Sequence, residues 1–493
     1  MKVLLALDQG TTSCRALVVD AEGRVLASAR RELQLSCPQP GWVEQDPVEI
    51  WETQRDVALR ALREGGVPAS SVAAVGIANQ RETTVVWERA TSEPIAPAIV
   101  WQDRRTAEVC DQLRRDGWEQ FVRARTGLLL DPYFSASKIR WLLQAVPGAL
   151  QRAREGQLAF GTVDSWLAWK LSGGRIHVTD ATNASRTMLY NLDRGDWDEE
   201  LLELMGIPRQ LLPMVVASSG VVGETDADVL GAAMPIAAIV GDQQASLFGQ
   251  ACTAPGMAKV TYGTGSFFLL NTGARPSASQ DLLTTVALER GGSRTYALEG
   301  SVFVAGAAVQ WLRDGLGLLA QAADINRLAE GVPDSGGVVF VPALAGLAAP
   351  YWDPRARGAI LGISRATTAA HLARATLEGI ALQVADLLLT AAESGVRLVE
   401  VRADGGAAAS DILLQEQADL LGIPVVRAHQ PEATALGAAY LAGLAVGLFA
   451  GEDVARLWRA ERRFDPNPAV DREQLLSNWH KAVAAVRSFA APG

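Results

Sequence analysis

A run of residues near the start of the chain carries groups that could handle a phosphate. Asp8-Gln9-Gly10-Thr11-Thr12-Ser13, with Arg15 just beyond, lies inside the apolar stretch Leu4 to Asp20. Backbone amides and hydroxyls suit phosphate oxygens, a carboxylate such as Asp8 suits a hard cation, and a guanidinium such as Arg15 suits phosphate charge. Two strand-length apolar runs around a Gly/Thr/Ser turn read as a β-hairpin, and a tight hairpin gathers these groups at one tip. Polar tips of this kind also occur in hairpins that bind nothing.

Two later turns share the character of the first. Thr261-Tyr262-Gly263-Thr264-Gly265-Ser266 lies between apolar flanks in Met257 to Leu270, and Asp404-Gly405-Gly406-Ala407 follows a further apolar run. Glycine lets a backbone approach a nucleotide closely because no Cβ stands in the way. One such turn is weak evidence; several, each at the end of an apolar run, are much stronger. Neither G-x-x-x-x-G-K-[ST] nor the protein-kinase motif set occurs, so phosphate handling rests on these turns.

Three further groups of residues suit an acceptor molecule. Asp242, in Gly241-Asp242-Gln243-Gln244, reads either as the N-cap of a helix Gln243 to Gln250 or as a general base facing a substrate hydroxyl. Base help of that kind contributes about 10²- to 10⁴-fold. Arg81 and Glu82 read either as a surface ion pair of little energetic value or as a polyol clamp, donors and acceptor reading adjacent hydroxyls. Trp101, Tyr133 and Phe267 would wall a carbon backbone, or simply fill the core.

The elements that must position these residues alternate between strand-like and helix-like, which points to α/β layers. Ser71 to Ala78 reads as a buried strand delivering Arg81 and Glu82, Trp101 to Arg115 as a charged helix, and Pro235 to Val240 as the strand before Asp242. The hairpins at Leu4 to Asp20 and Met257 to Leu270, about 250 residues apart, suggest two halves on one plan. The boundary falls near Ala245, giving domains 1–245 and 246–493. The last helix, Glu473 to Phe489, carries Leu475, Leu476, Trp479, Val483, Val486 and Phe489 at helical spacing, a core stripe.

Bulk composition narrows the function classes. With 493 residues, 49% hydrophobic and 20% charged, the chain has the balance of a soluble enzyme with at least two domains. A formal charge of −10 without a local basic patch disfavours nucleic acid as a partner. Cys14, Cys37, Cys110 and Cys252 lie far apart and, with scattered histidines, form no zinc signature, so a reducing cytoplasm is the expected home. Strand-like sequence begins at once, without a signal-peptide pattern. The apolar run Leu436 to Gly451 is shorter than the roughly 20 residues of a membrane span and reads as a buried helix.

Taken together, these segments resemble the FGGY carbohydrate kinases over nearly the whole chain. Tyr133-Phe134-Ser135-Ala136-Ser137-Lys138-Ile139-Arg140-Trp141 is similar to the family's first signature, and Gly358 to Ile363, with His371-Leu372 and Ala375 to Glu378, to its second. Within the family, NQRETT at Asn79 to Thr84, WQDRR at Trp101 to Arg105, DPYFS at Asp131 to Ser135 and GDQQASLFGQ at Gly241 to Gln250 resemble the members that act on glycerol. TYGTGSF at Thr261 to Phe267 and APYWDPRARG at Ala349 to Gly358 do so as well.

The resemblance implies two actin/hexokinase-like (ribonuclease H-like) domains flanking a cleft, ATP and Mg²⁺ as cofactors, and transfer of the γ-phosphoryl group to glycerol. Arg81, Glu82, Tyr133, Asp242 and Gln243 match glycerol-binding positions, Trp101 and Phe267 flank its carbons, and Asp242 matches the base. Asp8 matches the magnesium residue, directly or through water. Thr11, Thr12, Ser13 and Arg15 match the first phosphate hairpin, Gly263 and Thr264 the second, and Gly306, Gln310 and Gly406 further nucleotide contacts. Ser410 stands where the family often has Asn to read the adenine edge. Family members form dimers or tetramers. Some carry a basic Gly-rich loop for fructose 1,6-bisphosphate or a phosphorylatable His nearby; here Leu211 to Gly241 holds no Lys, Arg or His, so neither control is expected through it. The rival readings are an FGGY kinase for xylulose, ribulose, gluconate or dihydroxyacetone, and a nucleotide-driven chaperone or filament protein of the same superfamily.

Overall fold

The computed structural model describes residues 2–430, 432–451 and 453–490. Runs rich in Val, Ile, Leu and Ala become strands, and thirteen of them join one mixed sheet. In chain order these are β1 (Val3–Gln9), β2 (Ser13–Asp20), β3 (Val25–Glu32), β4 (Val72–Asn79), β5 (Ser219–Glu224), β6 (Pro235–Gly241) and β7 (Met257–Tyr262). They continue with β8 (Ser266–Gly273), β9 (Leu283–Arg290), β10 (Ser293–Val302), β11 (Glu400–Asp404), β12 (Val425–Ala428) and β13 (Ala460–Phe464). The order across the sheet is β13-β12-β11-β7-β8-β10-β9-β5-β6-β4-β1-β2-β3.

One five-strand plan occurs twice. β1 pairs antiparallel with β2 and β2 with β3, while β1 runs parallel to β4 and β4 to β6. Likewise β7 pairs antiparallel with β8 and β8 with β10, while β7 runs parallel to β11 and β11 to β12. The two hairpins expected from the sequence are β1–β2 and β7–β8. Register aligns the ends of the parallel strands: Gln9 faces Asn79, which faces Gly241, and Thr261 faces Asp404. The polar turns that follow these residues therefore emerge on one level, beyond the carboxyl ends of parallel strands, where α/β sheets bind ligands.

Helices cover the sheet where their apolar faces demand it. Helix α1 (Pro47–Glu64) starts with Pro47 at its first position and with Asp46 accepting the Val48 amide, and buries Ile50, Val57, Ala58 and Ala61. Helix α2 (Asp242–Gly249) follows β6, and helix α4 (Ala433–Ala445) follows β12. These two cross between the halves. Leu247 of α2 packs with Leu269, Ala287 and Ala297 of the second half, while Leu436, Ala438 and Ala439 of α4 pack with Leu4, Ala6, Ala78 and Ala238 of the first.

Helix α3 (Ala369–Glu393) is long and apolar enough to cross a bilayer by length and composition, yet it lies within the core of the second half, burying Ile380, Val384, Leu387 and Leu388. Leu436 to Gly451 proves helical only as far as Ala445. Two expectations fail in detail. The helix read over Trp101 to Arg115 begins at Ala107, because the Asp103 carboxylate accepts the Val43 amide at 2.6 Å and the Arg105 guanidinium, and so fixes a turn. In the last helix, α5 (Arg472–Ala490), Trp479, Val483 and Val486 are buried, but Phe489 is 89% exposed because the helix end projects past the core.

The α2–α4 crossing admits no side chain. A Cβ on Gly249 would fall on the Ala433 carbonyl oxygen, and one on Gly437 on the Ala245 carbonyl oxygen. Gly437→Ala is therefore expected to destabilise the chain by about 2–3 kcal/mol, whereas Gly220→Ala, into open space, costs under about 1 kcal/mol. Equal urea midpoints for the two variants would show that the helices can part at no cost.

Candidate active site

The first hairpin is built as its sequence indicates. Asp8 and Arg15 face each other across β1 and β2, with Nε 3.3 Å from the carboxylate. The tip is closed by the Gly10 amide donating to the Ser13 carbonyl at 3.1 Å. Thr11 ties it to two later segments, its hydroxyl accepting from Trp101 Nε1 at 2.9 Å and its carbonyl from Gln45 at 2.7 Å. Thr12 is exposed, and the Arg15 guanidinium also meets Glu432 at the start of α4. Burial, opposed by Arg15 and reinforced by Asp242, pushes Asp8 up to about 6.

Trp101 meets Tyr133 edge-on, ring centroids 5.5 Å apart. Tyr133 is held by Lys138, a fully buried cation whose Nζ donates to the carbonyls of Pro132, Tyr133 and Phe134. Lys138 lies one turn along the helix Ser135–Ala145, so the first signature motif folds back to fasten its own leading loop.

Arg81 and Glu82 are both buried, which removes the surface ion-pair reading. They are adjacent, Nε 3.9 Å from the carboxylate, but each is committed to a partner that sequence reasoning missed. Arg81 makes a two-pronged contact with Glu299 of β10 at 2.6 and 2.8 Å. Glu82 accepts from Arg186 Nε at 2.6 Å, and Arg186 in turn lies 3.3 Å from Glu299 and over the rings of Tyr133 and Phe134. The four alternate in sign. Burial works against Glu299, yet Arg186 and Arg81 hold it down to about 2; for Glu82 burial prevails over Arg186 and Arg81 and raises the carboxyl. Glu82 also takes a left-handed backbone (φ 63°), its carbonyl pinned by the hydroxyls of Ser135 and Thr84. Such strain in a non-glycine residue persists where the surroundings over-determine it.

Asp242 is the first residue of α2, and the N-cap is Gly241, so the capping role expected for Asp242 is not observed. Gly241 is seated instead by its amide donating to Thr182 Oγ1 at 2.8 Å. The carboxylate, 28% exposed, accepts the Gln243 amide at 2.7 Å and lies 3.4 Å from Arg81 Nε. Burial raises its proton affinity, opposed by Arg81 and then Lys259. Gln243 accepts from Lys259 Nζ, which also donates to Thr261 Oγ1 at 3.0 Å. Phe267 stands on β8 directly opposite Thr261.

The second hairpin gathers the remaining candidates. Gly263 donates to Gly265 at 2.8 Å, and the helix Gly306–Asp314 starts against this tip, with Gly306 donating to Gly263 at 2.9 Å and Ala305 and Ala307 to Thr264. Gln310 lies one turn further along that helix. Gly405 (φ 90°) bends the backbone close against Tyr262, and at Gly406 the Cβ direction opens into free space. Ser410 is buried and its hydroxyl accepts the Leu413 amide at 3.2 Å as N-cap of the helix Asp411–Leu421. Asp404 accepts from Gln250 with one oxygen, and its other oxygen is buried without a hydrogen-bond partner.

The missed residues Glu299, Lys259 and Arg186 left one signal. Glu299 and Lys259 are single charges inside apolar strand sequence, Tyr296-Ala297-Leu298-Glu299 and Met257-Ala258-Lys259-Val260. A charge in a buried strand needs a partner of opposite sign, so an isolated one announces a network elsewhere in the chain.

Glycine-lined turns, an Asp8 carboxylate paired with the Arg15 guanidinium and free space at Gly406 suit a nucleoside triphosphate. Magnesium fits too: among the described residues no group of three or more His, Cys, Asp or Glu surrounds a point, but Mg²⁺ takes one or two carboxylates and completes its shell with phosphate and water. Two ribonuclease H-like domains flanking a cleft, with glycine-rich polar turns from both and a part-exposed carboxylate, define an ATP-dependent phosphotransferase of the actin and hexokinase class. The chain belongs to the FGGY family of carbohydrate kinases, whose N-terminal domain matches residues 3–249 and whose C-terminal domain matches 258–446. It is 61% identical to a glycerol kinase of Aromatoleum aromaticum, covering 100% of both chains. The structure is similar to that of Plasmodium falciparum glycerol kinase with ADP, at a TM-score of 0.94 and 33% identity over 99% of this chain and 98% of that one. Gluconate kinase from Lactobacillus acidophilus shares the fold, at a TM-score of 0.90 and 23% identity over 99% and 98% of the two chains.

Arg186 stands between two buried carboxylates. Arg186→Met is expected to lower unfolding free energy by about 3–5 kcal/mol, measured by urea denaturation, because Glu82 and Glu299 lose their shared cation. A change below about 1 kcal/mol would mean that water already solvates both carboxylates.

Proposed function

We propose that this chain transfers the γ-phosphoryl group of ATP to a terminal hydroxyl of glycerol, giving sn-glycerol 3-phosphate and ADP, with Mg²⁺ as cofactor. The observation that carries the reading is the juxtaposition of Arg81 and Glu82 with Asp242, together with the Trp101–Tyr133 ring pair, in a chain matched end to end by a glycerol kinase. Arg81 donors and the Glu82 carboxylate suit adjacent hydroxyls, Gln243 and Tyr133 add polar contacts, and Trp101 and Phe267 wall the carbons. Asp242 accepts the proton of the attacking hydroxyl. Arg15, with the turns at Thr11 to Ser13 and at Gly263 and Thr264, holds the phosphates and stabilises developing charge. Asp8 would hold the magnesium, which when bound supplies charge neutralisation on the phosphates. Gly306, Gln310, Gly406 and Ser410 line the nucleoside side. Exclusion of water as the domains close protects the phosphoryl group from hydrolysis.

Several subsidiary points belong to the same reading. The domains divide near Ala245, inside α2, the segment that leads from one half to the other. The protein acts in the cytoplasm as a homo-oligomer, dimer or tetramer. It is insensitive to fructose 1,6-bisphosphate and to histidine phosphorylation through Asp228 to Met234, which offers no cation to a bisphosphate.

Asp242→Asn is expected to lower kcat by about 10²- to 10⁴-fold while the glycerol KM moves far less. Because burial favours the protonated form of Asp242, kcat/KM falls on acidification with a midpoint above the ordinary carboxylate value of about 4 and recovers as pH rises. A midpoint at or below about 4 would exclude Asp242 as the titrating group. ADP release measured with glycerol, dihydroxyacetone, xylulose, ribulose and gluconate is expected to favour glycerol. A preference for a sugar would keep the kinase and overturn the acceptor assignment, and acceptor-independent ADP release would point to an ATPase.

A further inference from the structure

Glu299 lies on β10 in the second half of the chain, yet its carboxylate is committed to the acceptor residues of the first. Both terminal nitrogens of Arg81 bind it, one to each oxygen, at 2.6 and 2.8 Å. Paired contacts of this kind are among the strongest that a guanidinium makes, and they set its plane as well as its position. The remaining edge of Arg81 is left facing Asp242 at 3.4 Å and Glu82 at 3.9 Å, through Nε alone. Without Glu299 the fork keeps one neutral acceptor, Gln244 Oε1 at 3.2 Å from a single terminal nitrogen, and those two carboxylates become its nearest charged partners. A fork closed on Asp242 would cover the oxygens that must take the acceptor proton, and a fork closed on Glu82 would cancel the acceptor half of the polyol clamp.

We propose that Glu299 is a positioning residue for the acceptor site: it holds the Arg81 fork against β10, so that Asp242 and the Glu82 oxygen not held by Arg186 remain open to the acceptor. The inference rests on the reading of Arg81 and Asp242 as acceptor residues. It also links acceptor binding to the docking of the two halves, since the residue that orients the clamp comes from a strand of the other half. The remaining groups around Asp242 are consistent with this division. Lys259 is tied to Gln243 and Thr261, Asp8 faces Arg15, and Arg186, which also reaches Glu299 at 3.3 Å, is hydrogen-bonded to Glu82, so of the two guanidiniums that Glu299 pairs with it is Arg81 that faces Asp242.

Steady-state kinetics with Mg-ATP and glycerol on Glu299→Gln, Arg81→Gln, the double variant and Asp242→Asn test the proposal, with melting temperature and ADP affinity measured on each. Glu299→Gln is expected to raise the glycerol KM and lower kcat, each by at least about tenfold, with ADP affinity within about threefold of the wild type. In the Arg81→Gln background it should add less than about threefold, because it acts through that side chain. Glu299→Asp keeps the charge but withdraws it by one methylene, and should raise the glycerol KM at least about threefold with the melting temperature preserved, which separates positioning from a failure to fold. Wild-type kinetics in Glu299→Gln or Glu299→Asp, or effects that multiply in the double variant, would overturn the proposal. Turnover lost in Asp242→Asn but kept in Glu299→Gln overturns this inference alone. Turnover kept in Asp242→Asn overturns the base assignment and the inference with it.

Discussion

The close passage of α2 and α4 is the constraint on which the rest of the structure depends. Ala245 and Gly249 on one helix meet Ala433 and Gly437 on the other with backbone against backbone, each glycine facing the other helix's alanine carbonyl. Each helix follows the last parallel strand of its own half and packs against the sheet of the other. The crossing thus fixes how the halves sit. It also fixes the site, because Asp242 and Gln243 form the first turn of α2 and Glu432, which meets Arg15, stands at the start of α4. A bulkier residue at the crossing would move both helix starts relative to the two glycine-containing hairpins.

The second constraint is electrostatic. Arg81, Arg186, Glu82 and Glu299 are nearly or fully buried, and taking such ions out of water costs several kcal/mol each before any pairing. Alternation of sign, with hydrogen bonds joining Arg81 to Glu299 and Arg186 to Glu82, offsets that cost and leaves a rigid framework rather than a gain in stability. Rigidity is what the proposed acceptor site needs, since a hydroxyl must be held in line with a phosphoryl group before transfer becomes effectively unimolecular. The left-handed Glu82 belongs to the same framework. Its unfavourable backbone is held by hydroxyls on two segments while Arg186 fixes its carboxylate.

Much of this was legible in the chain. The hairpin tips, the strand ending before Asn79-Gln80-Arg81-Glu82 and the strand ending before Asp242 follow from local alternation of apolar runs with polar turns, and the structure keeps them. What misled was also local. Trp101 to Thr106 has helical composition, yet the buried Asp103 organises it as a turn through Val43, a partner distant in sequence. Asp242 resembles an N-cap because an acid opens a helix, but Thr182 seats the preceding glycine and releases the carboxylate.

The sequence by itself determined the elements, the duplicated plan and the residues at the turns, because strand, turn and glycine preferences act between neighbours along the chain. Only the tertiary structure decided which charges meet. Arg81 finds Glu299 across 218 positions and Glu82 finds Arg186 across 104. No local pattern encodes such pairs, since their partnership depends on how β10 and the segment after Thr182 are brought beside β4. That geometry is set by the crossing of two helices whose small residues, read singly, look unremarked: they act through the side chains they lack.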